Sequence, residues 1–287
     1  MIQPAARVQT GAEATLSPAD FRAIAGMLYA DAGIHLPESK ASLVYSRLAK
    51  RLRTLNLESF RDYCDLVASE AGREERAEML SALTTNVTRF FRERHHFDHL
   101  EREVLPGLLA HARAGGKARL WSAACSTGQE AYSIALSILA VDPQAPRYDV
   151  KVLATDIDQR VVAEARAGLY RASALADVPA DQRQRHFAPQ GEDFVAGADL
   201  RALVAFRVLN LNADWPMRGR FDAILCRNVA IYFDDATQCA LWSRFARQLA
   251  PGGWLYIGHS ERVNGPATAH LAPAGVTAYR LKGASHA

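Results

Sequence analysis

The sequence predicts an α/β protein in two parts: a small all-helical N-terminal domain, then a doubly wound, Rossmann-like domain with a small β insertion. Three observations predict it. Apolar residues recur at helical spacing, with no strand-and-glycine alternation, through roughly the first hundred residues. From about Lys117, short β-type runs alternate with helical runs that stop at Gly or Pro, the pattern of a parallel sheet. A loop of small residues, Ala123-Ala124-Cys125-Ser126-Thr127-Gly128, joins the first such run to its helix.

Bulk properties exclude several classes. With 287 residues, 49% of them hydrophobic and 23% charged, the chain has the composition of a globular protein with a sizeable core. A net charge of +3 is too mild to mark a nucleic-acid binder. Cys64, Cys125, Cys226 and Cys239 lack C-x-x-C spacing, which argues against a disulfide frame or a zinc site. No apolar run is long enough to span a membrane, and residues 1–14 read as a disordered leader rather than a signal peptide. A cytoplasmic protein without membrane insertion is expected.

The helical domain is expected over 15–85. Ser17 as N-cap, Pro18 in the first turn and Asp20 at the positive dipole end start a helix carrying Phe21, Ile24, Ala25, Leu28 and Tyr29. A second helix, 40–55, sets Leu43, Val44, Leu48 and Leu52 on one side and Arg47, Lys50, Arg51 and Arg53 on the rest. That basic side reads either as a solvated face or as a docking surface for an acidic partner. Helices over 57–69 and 74–84 follow, and 86–116 reads as a linker and helix contributing to the active site. From 117 to 287 the expected order is strand 118–122, helix 128–139, strand 149–155, a helix ended by Gly168, an insertion at about 170–202, and strands 203–208 and 221–226. A helix over 235–249 stopped by Pro251-Gly252-Gly253, and strands in "WLYIGHS" and "TAYRL", complete a sheet read as parallel.

Ligands of open parallel sheets sit at the carboxyl ends of the strands. A pyrophosphate loop needs several glycines so that N–H groups converge on it; this loop has Gly128 and no Walker lysine. Asp156 ends the second strand, where an acid bonds ribose hydroxyls, and Glu130 opens the following helix, facing an ammonium. The combination suggests a nucleoside cofactor without phosphate, S-adenosylmethionine; close helix–strand packing and a helix cap at Asp156 explain the same residues without a ligand. His95 and His99 stand four apart but lack the H-E-x-x-H glutamate, so no metal is expected. Cys226 lacks the preceding proline of a cytosine-methylating nucleophile and reads as a buried thiol.

Five blocks resemble the CheR family of chemotaxis-receptor methyltransferases: "LTTNVTRFFRE" (Leu83–Glu93), "WSAACSTGQEAYSIA" (Trp121–Ala135), "ATDID" (Ala154–Asp158), "FDAILCRNVAIYFD" (Phe221–Asp234) and "GGWLYIGHSE" (Gly252–Glu261). The resemblance implies a class I methyltransferase that transfers a methyl group from S-adenosylmethionine to glutamate side chains of chemoreceptors, leaving S-adenosylhomocysteine. It implies Arg92 and Tyr232 at the chemistry, and Asn86, Thr88, Arg92, Ala124, Glu130, Asp156, Asn210, Leu211, Arg227 and Asn228 around the cofactor. Without it, Tyr232 reads as a core residue and Asn210 as a turn former. It also points the basic helix (Arg47, Lys50, Arg51, Arg53) at the receptor's cytoplasmic methylation helices. Two departures stand out. Gln129, Glu130 and Ala131 replace the family's two acids and proline, and the insertion is short between Phe187 and Leu203, which implies independence of a receptor C-terminal pentapeptide tether. A nucleic-acid amino-methyltransferase would show Asn-Pro-Pro-aromatic where Asn228-Val229-Ala230-Ile231 stands, and a regulator without activity would have no use for Arg92 and Tyr232.

Overall fold

The computed structural model describes residues 14–283, so residues 1–13 of the expected leader lie outside it. The chain forms two compact units, one of residues 14–31 and 36–83, the other of 32–35 and 84–283.

The first unit is helical, as the apolar spacing predicts: α1 (Pro18–Ala32), α2 (Ala41–Leu55), α3 (Phe60–Ala68) and α4 (Arg73–Leu83). Ile24, Leu28, Val44, Leu48, Phe60, Tyr63, Val67 and Met79 are buried. Ser17 and Asp20 cap α1 reciprocally: the Ser17 hydroxyl accepts from the Asp20 amide (3.2 Å), and the Asp20 carboxylate from the Ser17 amide (3.2 Å). Of the four basic residues of α2, Arg47 and Arg51 have partners on α4. Arg47 donates to the Ala82 and Leu83 carbonyls (3.3 and 2.9 Å), which the end of α4 leaves without intrahelical partners. Arg51 forks onto Glu75 (2.9 and 2.5 Å) and reaches Glu78 (3.1 Å), while the Tyr63 hydroxyl donates to Glu75 (2.9 Å). Both arginines brace α2 against α4; Lys50 and Arg53 stay exposed.

In the second unit, α5 (His95–His99), a π-helical turn (Leu100–Val104) and α6 (Leu105–Arg113) run on continuously. Pro106 follows the π turn; it has no N–H for the carbonyl four residues back, and the widened turn absorbs the gap. Next come β1 (Lys117–Ala123), α7 (Gln129–Val141), β2 (Asp149–Asp156), α8 (Gln159–Ala167), the insertion, β6 (Val204–Val208), β7 (Phe221–Cys226), α11 (Asp235–Gln248), β8 (Leu249–Ile257), β9 (Leu271–Pro273) and β10 (Ala278–Leu281). The insertion holds β3 (Leu169–Arg171), α9 (Ala180–His186), β4 (Phe187–Gln190), β5 (Asp193–Ala196) and α10 (Ala198–Leu203). Its strands form their own antiparallel sheet in the order β3-β5-β4.

The main sheet has the order β6-β2-β1-β7-β8-β10-β9, parallel from β6 to β8. The fully parallel expectation fails at its end. β10 runs antiparallel to β8 and β9: the chain passes from β8 to β9 in the same direction, and the short turn over 274–277 then folds it back as a hairpin between them. Pro251-Gly252-Gly253 does not stop the chain before β8; it lies inside that strand, where the register against β7 shifts between Phe221 and Ala223. Alternation along β1 feeds both faces: Leu120 joins a core with Ile134, Leu136 and Val152, and Trp121 joins Phe221, Trp242 and Phe245 on the other. After β1 the chain builds outward to β2 and β6, then returns to β7 on the other side, so the topological switch lies between β1 and β7.

Candidate active site

The small-residue loop leaves β1 at this switch point. Ala124 (φ 65°) and Ser126 (φ 51°) hold left-handed backbone without being glycines, strain of the kind that concentrates at functional sites. Gly128 (φ +93°) is required, since a Cβ there would lie 2.9 Å from the Ala165 Cβ and 3.0 Å from the Tyr170 hydroxyl. Behind the loop the Asp156 carboxylate accepts from the amides of Ser126 (2.8 Å) and Asp158 (3.0 Å). Burial raises its pKa, partly offset by those two bonds. Asp158 caps α8 by accepting from the Arg160 amide (2.9 Å) and also accepts from the Asn86 amide group (3.1 Å). Asp156 therefore organises the loop as well as offering its remaining lone pairs.

Segment 84–94 is irregular and pinned by two buried rings. Phe90 packs edge-on to Tyr170 (5.0 Å) and Phe187 (5.7 Å), and Phe91 to Phe97 (5.2 Å). Phe91 (φ 50°) and Glu93 (φ 56°) add two more left-handed residues. The Asn86 carbonyl accepts from the Ser126 hydroxyl (2.9 Å), which fastens this segment to the loop; Thr88 and Arg92 are left half-buried. Arg92 Nη1 donates to the Val87 carbonyl (3.2 Å). Its neighbours are engaged elsewhere: Arg89 lies 3.8 Å from Asp177, and Arg94 donates to Asp98 (3.1 Å) over the Phe91 ring. Among the described residues Arg92 alone of these three has no carboxylate partner.

β7 delivers Arg227, whose side chain is 2% exposed. Its guanidinium meets Glu130 (3.1 Å) on one side and Glu93 (3.1 Å) on the other, and also donates to the Arg92 carbonyl. Glu130 accepts from the Ser122 hydroxyl (2.7 Å) as well; burial raises its pKa against the pull of Arg227 and Ser122. Burial pushes Glu93 up too, but Arg227 and His259 overcome it and hold the carboxyl at about 2. Asn210 and Leu211 stand just past β6, tied to Asp156 by the Leu209 amide donating to its carbonyl (2.9 Å). The Asn210 side chain accepts from the Asn212 amide (2.8 Å), the turn role its residue type suggests. Tyr232 is half-buried in a 3-10 turn (Ala230–Tyr232), and its hydroxyl has no partner among the described residues.

Other features escaped sequence reasoning. Glu93 and Glu261 were visible only as members of motif blocks, without roles. Residues 32–35 read only as the end of the first helix at Gly33, yet the His35 amide donates to the Tyr232 carbonyl (2.8 Å) and the Ala32 carbonyl accepts from Asn212 (2.5 Å). His95 and His99 do not converge: His99 bonds the Tyr256 hydroxyl (2.8 Å), and His95 packs on His96 (4.2 Å). Glu93, His95 and His96 do bring ligand atoms within 4.8 Å of one another, but Arg227 already occupies Glu93, and a metal cation there would face the guanidinium. Cys125 and Cys226 are buried thiols with pKa values pushed well up by burial, which leaves them poor nucleophiles.

Comparison with known proteins decides the family. A model described as "CheR methyltransferase, SAM binding domain" matches residues 86–279, and one described as "CheR methyltransferase, all-alpha domain" matches residues 19–84. The chain belongs to the CheR methyltransferase family. A probable chemotaxis protein methyltransferase of Rhizobium etli is 55% identical over 258 residues, covering 88% of this chain and 96% of that one. Chemotaxis protein methyltransferase 2 of Pseudomonas aeruginosa is 44% identical (84% and 86% covered), and the chemotaxis protein methyltransferase of Escherichia coli is 44% identical (86% and 85%). As a CheR methyltransferase the chain is an enzyme that binds S-adenosylmethionine through its Rossmann-like domain. The residues present fit that cofactor. Asp156 at the end of β2 and Glu130 at the start of α7 set carboxylates beside a loop that has one glycine and no lysine, a donor set that suits ribose hydroxyls and an ammonium better than a polyphosphate.

Proposed function

We propose that this CheR methyltransferase esterifies glutamate side chains of chemoreceptors in the cytoplasm, without using a receptor C-terminal pentapeptide. The observation that carries the reading is Arg92: its carbonyl accepts from Arg227, the partner of Glu130 and Glu93, and its guanidinium has no carboxylate partner among the described residues. A fork of this kind suits an incoming carboxylate. Bound S-adenosylmethionine supplies an electrophilic methyl group on sulfur. Glutamate, with an ordinary pKa of about 4.3, arrives ionised, so the protein needs no general base. Its tasks are alignment and exclusion of water, and alignment alone is worth about 7–11 kcal/mol of barrier. Arg92 orients the acceptor, and Tyr232 turns its free hydroxyl toward the reacting centre. Glu130 and Arg227 hold the methionine part with Asn228, Asp156 takes the ribose, and Asn210 and Leu211 flank the adenine. Asn86, Thr88 and Ala124 close the rim.

Lys50 and Arg53, the exposed cations of α2, are the docking residues this reading favours over Arg47 and Arg51. Tether independence is supported by the insertion. β4 and β5 are joined by only Gly191 and Glu192, and edge strand β4 contains Pro189. The β4–β5 ladder continues through Pro189, so the missing N–H belongs on the outer edge, where an added peptide strand would need a donor.

Purified protein given methyl-labelled cofactor and receptor-containing membranes tests the reading. The expected label is released by alkali, as from a carboxyl ester, at equal rates for receptors with and without the last five residues. Alkali-stable label would overturn ester formation, and micromolar binding of the free pentapeptide by calorimetry would overturn tether independence.

A further inference from the structure

Glu261 is 4% exposed and has no ion-pair partner among the described residues, yet its carboxylate is saturated by backbone. Oε1 accepts from the amides of Val229 (2.9 Å) and Ala230 (2.7 Å); Oε2 accepts from those of Asn228 (3.0 Å) and Gly258 (2.5 Å). Three successive amides turned inward, the first from a residue at φ 59°, form an anion-binding nest. Here the anion is the protein's own side chain. The fourth donor follows β8, so one carboxylate clamps the chain leaving β7 to the chain leaving β8. Gly258 makes the clamp possible: a Cβ there would lie 2.5 Å from Asn228 Nδ2, 2.8 Å from its amide nitrogen and 2.9 Å from Glu261 Oε2.

Arg227 immediately precedes the nest, and Tyr232 ends the 3-10 turn that begins at its last amide. We infer that Glu261 is a positioning residue: it sets the 227–232 turn so that Arg227 reaches Glu130 and Glu93 while Tyr232 faces the reacting centre. This rests on the proposed methyl-transfer reading for Tyr232, but the part through Arg227 concerns the cofactor pocket alone and has a readout without turnover. Glu261 touches neither cofactor nor acceptor in this account, so its influence passes wholly through the turn.

The test is calorimetric titration of the full chain with S-adenosylhomocysteine, alongside thermal melts, for wild type, E261Q, R227K and the double variant. Glutamine keeps the shape but turns an NH2 toward amide donors. E261Q is expected to weaken binding about tenfold in the wild-type background and less than about threefold in R227K, because the two act as one unit. Methylation by E261Q is expected to fall further than binding, through Tyr232. Equal factors in both backgrounds, or unchanged affinity, would overturn the inference. If E261Q does not fold, G258A presses on the same clamp without altering charge and decides in the same way. Wild-type protein that binds S-adenosylhomocysteine but methylates no receptor would sink the proposed substrate while leaving the binding test of Glu261 intact.

Discussion

Arg92 and His96 carry the sharpest expectations at the scale of single residues. R92K should lower receptor methylation about 10²-fold, because a lysine cannot reproduce a two-pronged grip on a carboxylate, whereas R89A should stay within about twofold. Initial rates at saturating cofactor separate the two. His96 is buried, with Nε2 near the Thr277 hydroxyl (2.8 Å) and the Val276 carbonyl (3.2 Å), and burial, Arg227 and His95 depress its pKa to about 3. An unfolded histidine titrates near 6.5, so between about 6.5 and 3 the unfolded chain binds a proton that the native state refuses. Stability should therefore fall as pH drops through that window, by up to about 1.4 kcal/mol per unit from this group. Glu93, depressed to about 2, extends the loss below about 4.3. H96Q should flatten the upper part of the curve in urea titrations at stepped pH, even if it lowers stability throughout.

At the scale of elements, helix α2 is the informative case. Its apolar stripe and its basic residues were legible, but the partners of those basic residues were not. Nothing local tells that Arg51 reaches Glu75, twenty-four positions away, or that Arg47 tops the end of α4. K50E with R53E should slow methylation of whole receptor severalfold at low salt while leaving melting temperature and cofactor binding unchanged. R51E sets a carboxylate against Glu75 and Glu78 and should destabilise the helical unit by about 3 kcal/mol or more, read by denaturant titration. Strands β1, β2 and β7 were legible from their buried apolar runs, and the loop after β1 from its small residues. The antiparallel end of the sheet was not, since strand direction depends on how a connection packs rather than on its composition. Glu261 and residues 32–35 stayed hidden for a related reason: a carboxylate that bonds only backbone amides, and a segment that contributes only main-chain groups, leave no mark in side-chain pattern.

For the molecule as a whole, the comparison that matters is between receptors with and without the terminal pentapeptide. The ratio of their methylation rates is expected to be near one. A ratio that rises steeply at low receptor concentration would reveal an effective-concentration gain from a tether and would contradict the blunted edge at Pro189. The proposed cofactor and acceptor residues come from five stretches of the second unit, 84–94, 122–130, 156–158, 209–212 and 226–232, with 32–35 and 258–261 bracing the last two. Contacts so widely separated in sequence form late and together.

The clamp at Glu261 has a consequence for how the protein is made. A ribosome that has released everything up to Ile257 holds a chain with its loop, its acids and Arg227 already synthesised, but with nothing to fold the 227–232 turn around. On the proposed reading, capacity to modify a receptor would then arrive only once residues 258–261 have been added, and a chain broken off before them would be silent rather than unregulated.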